Sequence, residues 1–210
     1  MLLIRLMLVL GLIFTAQLAC AGAYEDMLDA VKKDDVRTIG PLLKRGFDVD
    51  STDQEGNTLL IVAAKEGSTK AVKQLLSARA KVNPQNALGE SALMLAALHG
   101  HLEIARDLVS HGANVNVPGW SPLIYAATNG HVNIVRLLVG YGARVNETAD
   151  NGFTALIMAA REGHTAVVSL LLASGADFNL KTAGGLTALE VAREKKRPEI
   201  ADALIKAGAR

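Results

Sequence analysis

Apolar and polar positions repeat along the chain on a nearly fixed beat. Five segments, TLLIVAAKEGS, SALMLAALHGH, SPLIYAATNGH, TALIMAAREGH and TALEVAREKKR, open at Thr58, Ser91, Ser121, Thr154 and Thr187, with spacings of 33, 30, 33 and 33 residues. Each opens on Ser or Thr, which caps a helix by accepting a bond from an orphan backbone N–H. Leu60, Leu93, Leu123, Leu156 and Leu189 then share one position and are predicted to point inward. Pairs such as Ala96-Ala97 and Ala126-Ala127 are small enough to let neighbouring helices approach closely. A Gly before His (Gly100, Gly130, Gly163) ends this helix in a left-handed turn. A second apolar block follows, with pairs such as Leu137-Leu138. It closes at a Gly 21 residues after the anchor: Gly112, Gly142, Gly175 and Gly208, replaced once by Arg79. Stepping 33 back from Thr58 reaches Glu25 and the same pattern, with Ala30, Leu42-Leu43, Gly46 and Asp50. The pattern predicts six helix–turn–helix units joined by extended finger loops, an all-α solenoid: 25–57, 58–90, 91–120, 121–153, 154–186 and 187–210.

The pattern resembles the ankyrin repeat over the whole of 24–210, most fully in GHLEIARDLVSHGANVN and GHVNIVRLLVGYGARVN. It departs in three places. Where the family commonly has His three residues after the anchor, this chain has Ile61, Met94, Ile124, Ile157 and Glu190, so apolar packing is expected in place of a polar network. The third unit is three residues short, so VPGW should form a tight turn rather than a full hairpin. Gly40-Pro41 falls inside the second helix of the first unit and should bend or break it. End units of a solenoid have one unmatched face and are usually atypical. Arg193, Lys195, Lys196 and Arg197 read as a polar cap on the last one.

Residues 1–23 carry one charge, Arg5, then the apolar run Leu6–Phe14 and small residues. This reads as a secretory signal rather than a spanning helix, which needs roughly 20 apolar residues. Cleavage is expected before Gly22 or Tyr24. Gln17-Leu18-Ala19-Cys20 also weakly resembles a bacterial lipobox, and only lipidation of Cys20 would tie the chain to a membrane. The expected location is the periplasm. Beyond the leader, acidic and basic residues balance, which argues against a nucleic-acid partner needing excess Lys and Arg. Cys20 is the only cysteine, so the body of the chain holds no disulfide, thiolate metal site or cysteine nucleophile.

Nor does the sequence suggest an enzyme or a cofactor. His101, His131 and His164 share one repeat position and should bridge backbone groups between turns. One His per layer, with layers about 8–10 Å apart, cannot converge on one ion. There is no HExxH, GxSxG or phosphate loop, and Met94 and Met158 read as core. The resemblance implies a binding protein that uses its finger tips and inner helix face. At the position before each anchor stand Asn57, Glu90, Trp120, Phe153 and Leu186, turning from polar to large and apolar. With Leu98, His99, Asn129, Arg161 and Glu162 from the first helices, Trp120, Phe153 and Leu186 make the candidate protein-binding ridge. Two alternatives stay open for the aromatics: contact with a partner, or local packing, Trp120 over the shortened finger and Phe153 beneath its own. Similar small exported bacterial proteins have been connected with peroxide defence, so the candidate partners are an exported enzyme such as a catalase, or a toxin that the protein would occlude as an inhibitor or immunity protein.

Overall fold

The structure, a computed structural model, describes residues 22–210. The leader through Ala21, with Cys20, lies outside the described residues.

Helices come in pairs. After α1 (residues 22–32) and α2 (Val36–Lys44) come α3 (Leu59–Glu66) with α4 (Thr69–Ser77), α5 (Ala92–His99) with α6 (Leu102–Ser110), and α7 (Pro122–Thr128) with α8 (Val132–Gly140). Then follow α9 (Ala155–Glu162) with α10 (Thr165–Ala173), and α11 (Ala188–Glu194) with α12 (Pro198–Lys206). All five anchor hydroxyls accept the backbone N–H three residues on, in Ile61, Met94, Ile124, Ile157 and Glu190. The first helices α3, α5, α7, α9 and α11 stack in one layer; α4, α6, α8, α10 and α12 form a second, more loosely apposed layer. Alanines explain the difference: Ala63, Ala64, Ala96, Ala97, Ala126, Ala127, Ala159 and Ala160 are buried between first helices. Closer spacing on one side curves the stack and makes the first-helix side the inner face.

In the second helices Leu75, Leu108, Leu138, Leu171 and Leu204 form a fully buried column. Ile61, Ile124 and Ile157 are buried where a polar network was the alternative. Glu190 instead turns back, and its carboxylate accepts the Thr187 backbone N–H at 2.7 Å.

Two ladders tie the layers together. The His101 Nε2 meets the Lys65 carbonyl at 3.3 Å, His131 that of Leu98 at 3.1 Å, and His164 that of Thr128 at 2.9 Å. A carbonyl only accepts, so each Nε2 carries the proton. Arg197 continues the series, donating to the Glu162 carbonyl at 3.1 Å. In the second ladder the Asn83, Asn116 and Asn146 side chains donate to Gly112, Gly142 and Gly175 carbonyls and accept the backbone N–H of Asn114, Arg144 and Asp177. The turns that close α6, α8 and α10 are thus held from the preceding finger.

One expectation is corrected. Gly40-Pro41 does not break α2, which runs from Val36 through Lys44. Pro41 removes a single ladder bond, to the carbonyl of Arg37, and both residues face solvent, where water replaces that bond. Among the described residues, three other than Gly have left-handed backbones: Asp34, Arg79 and Lys196, with φ of 56°, 65° and 57°. Each stands where the repeat elsewhere has Gly.

Candidate protein-binding surface

The fingers are short turns whose ends pair: Asp53 N–H with the Asn57 carbonyl, Asn86 with Glu90, Ala149 with Phe153 and Thr182 with Leu186. Neighbouring fingers also bond. Ala87 N–H donates to the Glu55 carbonyl at 3.0 Å, and Ala183 N–H to that of Asn151 at 2.9 Å. The finger at 116–120 has neither kind of bond. Its three missing residues interrupt the row of bonded fingers between the second and the fourth.

Trp120 ends that short finger. Its ring lies 5.6 Å from Tyr125, tilted by 42°. Both are half-buried, packed on the core from one side and open on the other. Phe153 is also half-buried, with the Arg161 guanidinium 5.6 Å from its ring centroid. Arg161 is held in addition by Glu162 at 2.9 Å, so a cation–π contact and an ion pair fix the guanidinium on the inner face. Leu186 and Asn129 are exposed, and Leu98 is half-buried.

His99 is exposed at the end of α5, its ring 6.0 Å from that of His101. Desolvation first, then the neighbouring His101 and Lys65, pushes its pKa below the ordinary histidine value. It is a neutral imidazole near pH 7. Tyr125 has its hydroxyl pushed up, by burial first and by the Glu90 carboxylate second. It stays protonated and neutral at physiological pH.

Two surface residues fall outside the ridge read from the sequence. Tyr125 occupies a position that is buried as Val62, Leu95, Met158 and Val191 in the other units; the signal was its size, next to the deletion. Leu88, at the tip of the second finger, is 82% exposed. Among the described residues no group of three His, Cys, Asp or Glu is placed to hold a metal ion, and no helix is long and apolar enough to cross a membrane.

Stacked helix pairs, fingers projecting from one edge and a half-open aromatic pair on the inner face define a helical-repeat solenoid. A family model for ankyrin repeats in three copies matches residues 27–119 and again 123–210. The chain belongs to the ankyrin-repeat family. It is similar to an ankyrin repeat domain from Acinetobacter baumannii AYE, known from its crystal structure, at 34% identity and a TM-score of 0.80, over 88% of this chain and 98% of that one. Matches to solved chains number 605, so the likeness identifies an architecture and not a partner. No curated protein matches the sequence. Ankyrin repeats are generally non-catalytic modules for protein–protein interaction.

Proposed function

We propose that this protein is a non-catalytic binding module, exported to the periplasm, that seats a partner protein on its inner face beside the short third finger. The observation that carries this reading is the Trp120–Tyr125 pair, left half-open where the finger row is interrupted. Aromatics and Arg concentrate binding energy at interfaces, and Arg161 is already held in place by Phe153 and Glu162. Orienting it in advance lowers the entropic cost of association. Export rests on the leader's charge, apolar run and small residues.

The test is capture from a periplasmic extract with the protein, followed by mass spectrometry, beside the double variant Trp120→Ala/Phe153→Ala. A species held by the natural protein and lost by the variant is the expected result. Thermal unfolding of the variant must show that the fold persists. Equal capture by both would move the site elsewhere. Intact-mass measurement tests export: a chain beginning at Gly22 or Tyr24 is expected, and a mass that includes acylated Cys20 would make it a lipoprotein.

A further inference from the structure

The outer layer carries a feature that the inner-face reading does not use. Between α6 and α8 lies a groove of about 330 Å³. Leu102 and Leu137 supply its apolar surface, Tyr141 its end, and Arg106 and Arg136 its charge. No carboxylate lines it. Arg106 and Arg136 occupy the same repeat position in consecutive units, so the two cations stand one layer apart. Among the described residues Arg136 forms no ion pair, and Arg106 meets Glu103 only at 4.0 Å. Tyr141 is 50% exposed.

Gly140 opens the groove. Its equivalents are Ser77, Ser110, Ala173 and Lys206. Gly weakens a helix, yet nothing in the fold requires it here: its φ is not left-handed, and an added Cβ would meet no atom within 4 Å. Its effect is to leave space beside Leu137 and Tyr141.

From these features we infer that the groove between α6 and α8 is a second docking site, which takes an acidic, extended peptide segment of a partner. Two carboxylates three residues apart pair with Arg106 and Arg136, and an apolar side chain between them lies on Leu102 and Leu137. The spacing is consistent: three residues of polyproline-II chain span about 9 Å and return to the same side, close to the interlayer distance of about 8–10 Å. Opposite charge across a rim steers encounter and selects partners.

The test uses the fluorescein-labelled peptide acetyl-Gly-Glu-Pro-Leu-Glu-Gly, titrated against the protein by anisotropy and mapped by NMR shifts. Binding is expected with shifts confined to α6 and α8, and with loss on replacing both Glu by Lys. Arg106→Glu/Arg136→Glu should weaken it about tenfold or more. Gly140→Leu fills the groove while improving helix propensity, so it should abolish binding at an unchanged or higher melting temperature. Trp120→Ala/Phe153→Ala should leave the peptide affinity unchanged, because the inner face is not involved. No measurable peptide binding overturns the inference, as does binding that survives Gly140→Leu. Loss of peptide binding in the Trp120/Phe153 variant would place the peptide on the inner face, overturning the groove and leaving the proposed function intact. Sedimentation with phosphatidylglycerol–phosphatidylethanolamine vesicles in place of peptide binding would reassign the two arginines to a lipid surface and likewise overturn it.

Discussion

Replacing Leu138 by Ala tests the stack at its most informative point. Leu138 is fully buried in α8, which packs between α6 and α10. Truncation removes the transfer energy of the lost carbons and leaves a cavity, together about 2–5 kcal/mol. Taking about 3 kcal/mol and a urea slope of about 2 kcal/mol per molar, the midpoint falls by about 1.5 M. Leu204 provides the comparison. It has the same repeat position and is equally buried, but α12 has only α10 beside it in the outer layer. Stability in a solenoid is a sum of unit and nearest-neighbour terms. Leu204→Ala should therefore loosen the last unit and move the main transition much less, whereas Leu138→Ala should uncouple the two halves and broaden or split it. Urea unfolding followed by circular dichroism, with amide exchange to locate the loss, is the assay. An unchanged midpoint for Leu138→Ala would refute the burial and the repeat register. Equal, single-step shifts in both variants would refute nearest-neighbour additivity.

Arg79→Gly should raise stability by about 1 kcal/mol, since a left-handed backbone costs a residue with a side chain roughly 1–2 kcal/mol; a lower melting temperature would count against it. Asp34→Gly should do the opposite despite a similar left-handed φ, because the Asp34 carboxylate accepts the Ala71 N–H at 2.7 Å and caps α4. Gly100→Ala should be strongly destabilising by thermal melt, since its φ is +81° and the new Cβ would lie 2.6 Å from the His131 ring. Acid should loosen both ends of the stack before its middle. Asp35, bonded by the Thr38 hydroxyl and the Arg37 N–H, and Glu190, bonded by the Thr187 N–H and hydroxyl, have pKa values below the ordinary carboxylate range. A carboxylate depressed in the folded state stabilises fully above its unfolded value of about 4 and loses that contribution as pH falls through its folded value. Amide exchange from about pH 5 downward should show α2 and α11 losing protection first; earlier loss in α7 or α8 would contradict this.

The architecture was legible because each unit spends the same residues on the same task. Thr58, Ser91, Ser121, Thr154 and Thr187 all cap, and the alanine pairs and leucine column all bury. What the repeat could not convey lies where units differ. The consequence of three missing residues, an interrupted finger row, depends on bonds between fingers such as Ala87 to Glu55, which no single unit encodes. Tyr125 shares a position with Val62, Leu95, Met158 and Val191, which are buried, so the repeat alone gives no sign that its ring stays half-open beside Trp120. The break expected at Pro41 does not occur: a proline near an exposed carbonyl costs the helix one bond, and Arg37 and Pro41 both face solvent.

The asparagine ladder separates two properties of the chain. Asn83 reaches Gly112 and Asn146 reaches Gly175 across 29 residues, while Asn116 reaches Gly142 across 26, with bonds of 3.1, 3.2 and 3.0 Å. The deletion is absorbed wholly in the loop, downstream of one rung and upstream of the helix that carries the next, and the interlayer bond does not register it. Finger length is therefore a free variable and layer spacing a conserved one. A lineage, or a designer, can lengthen, shorten or replace any finger between its asparagine and the following anchor hydroxyl, and so change what the surface grips while the frame that presents it keeps its pitch.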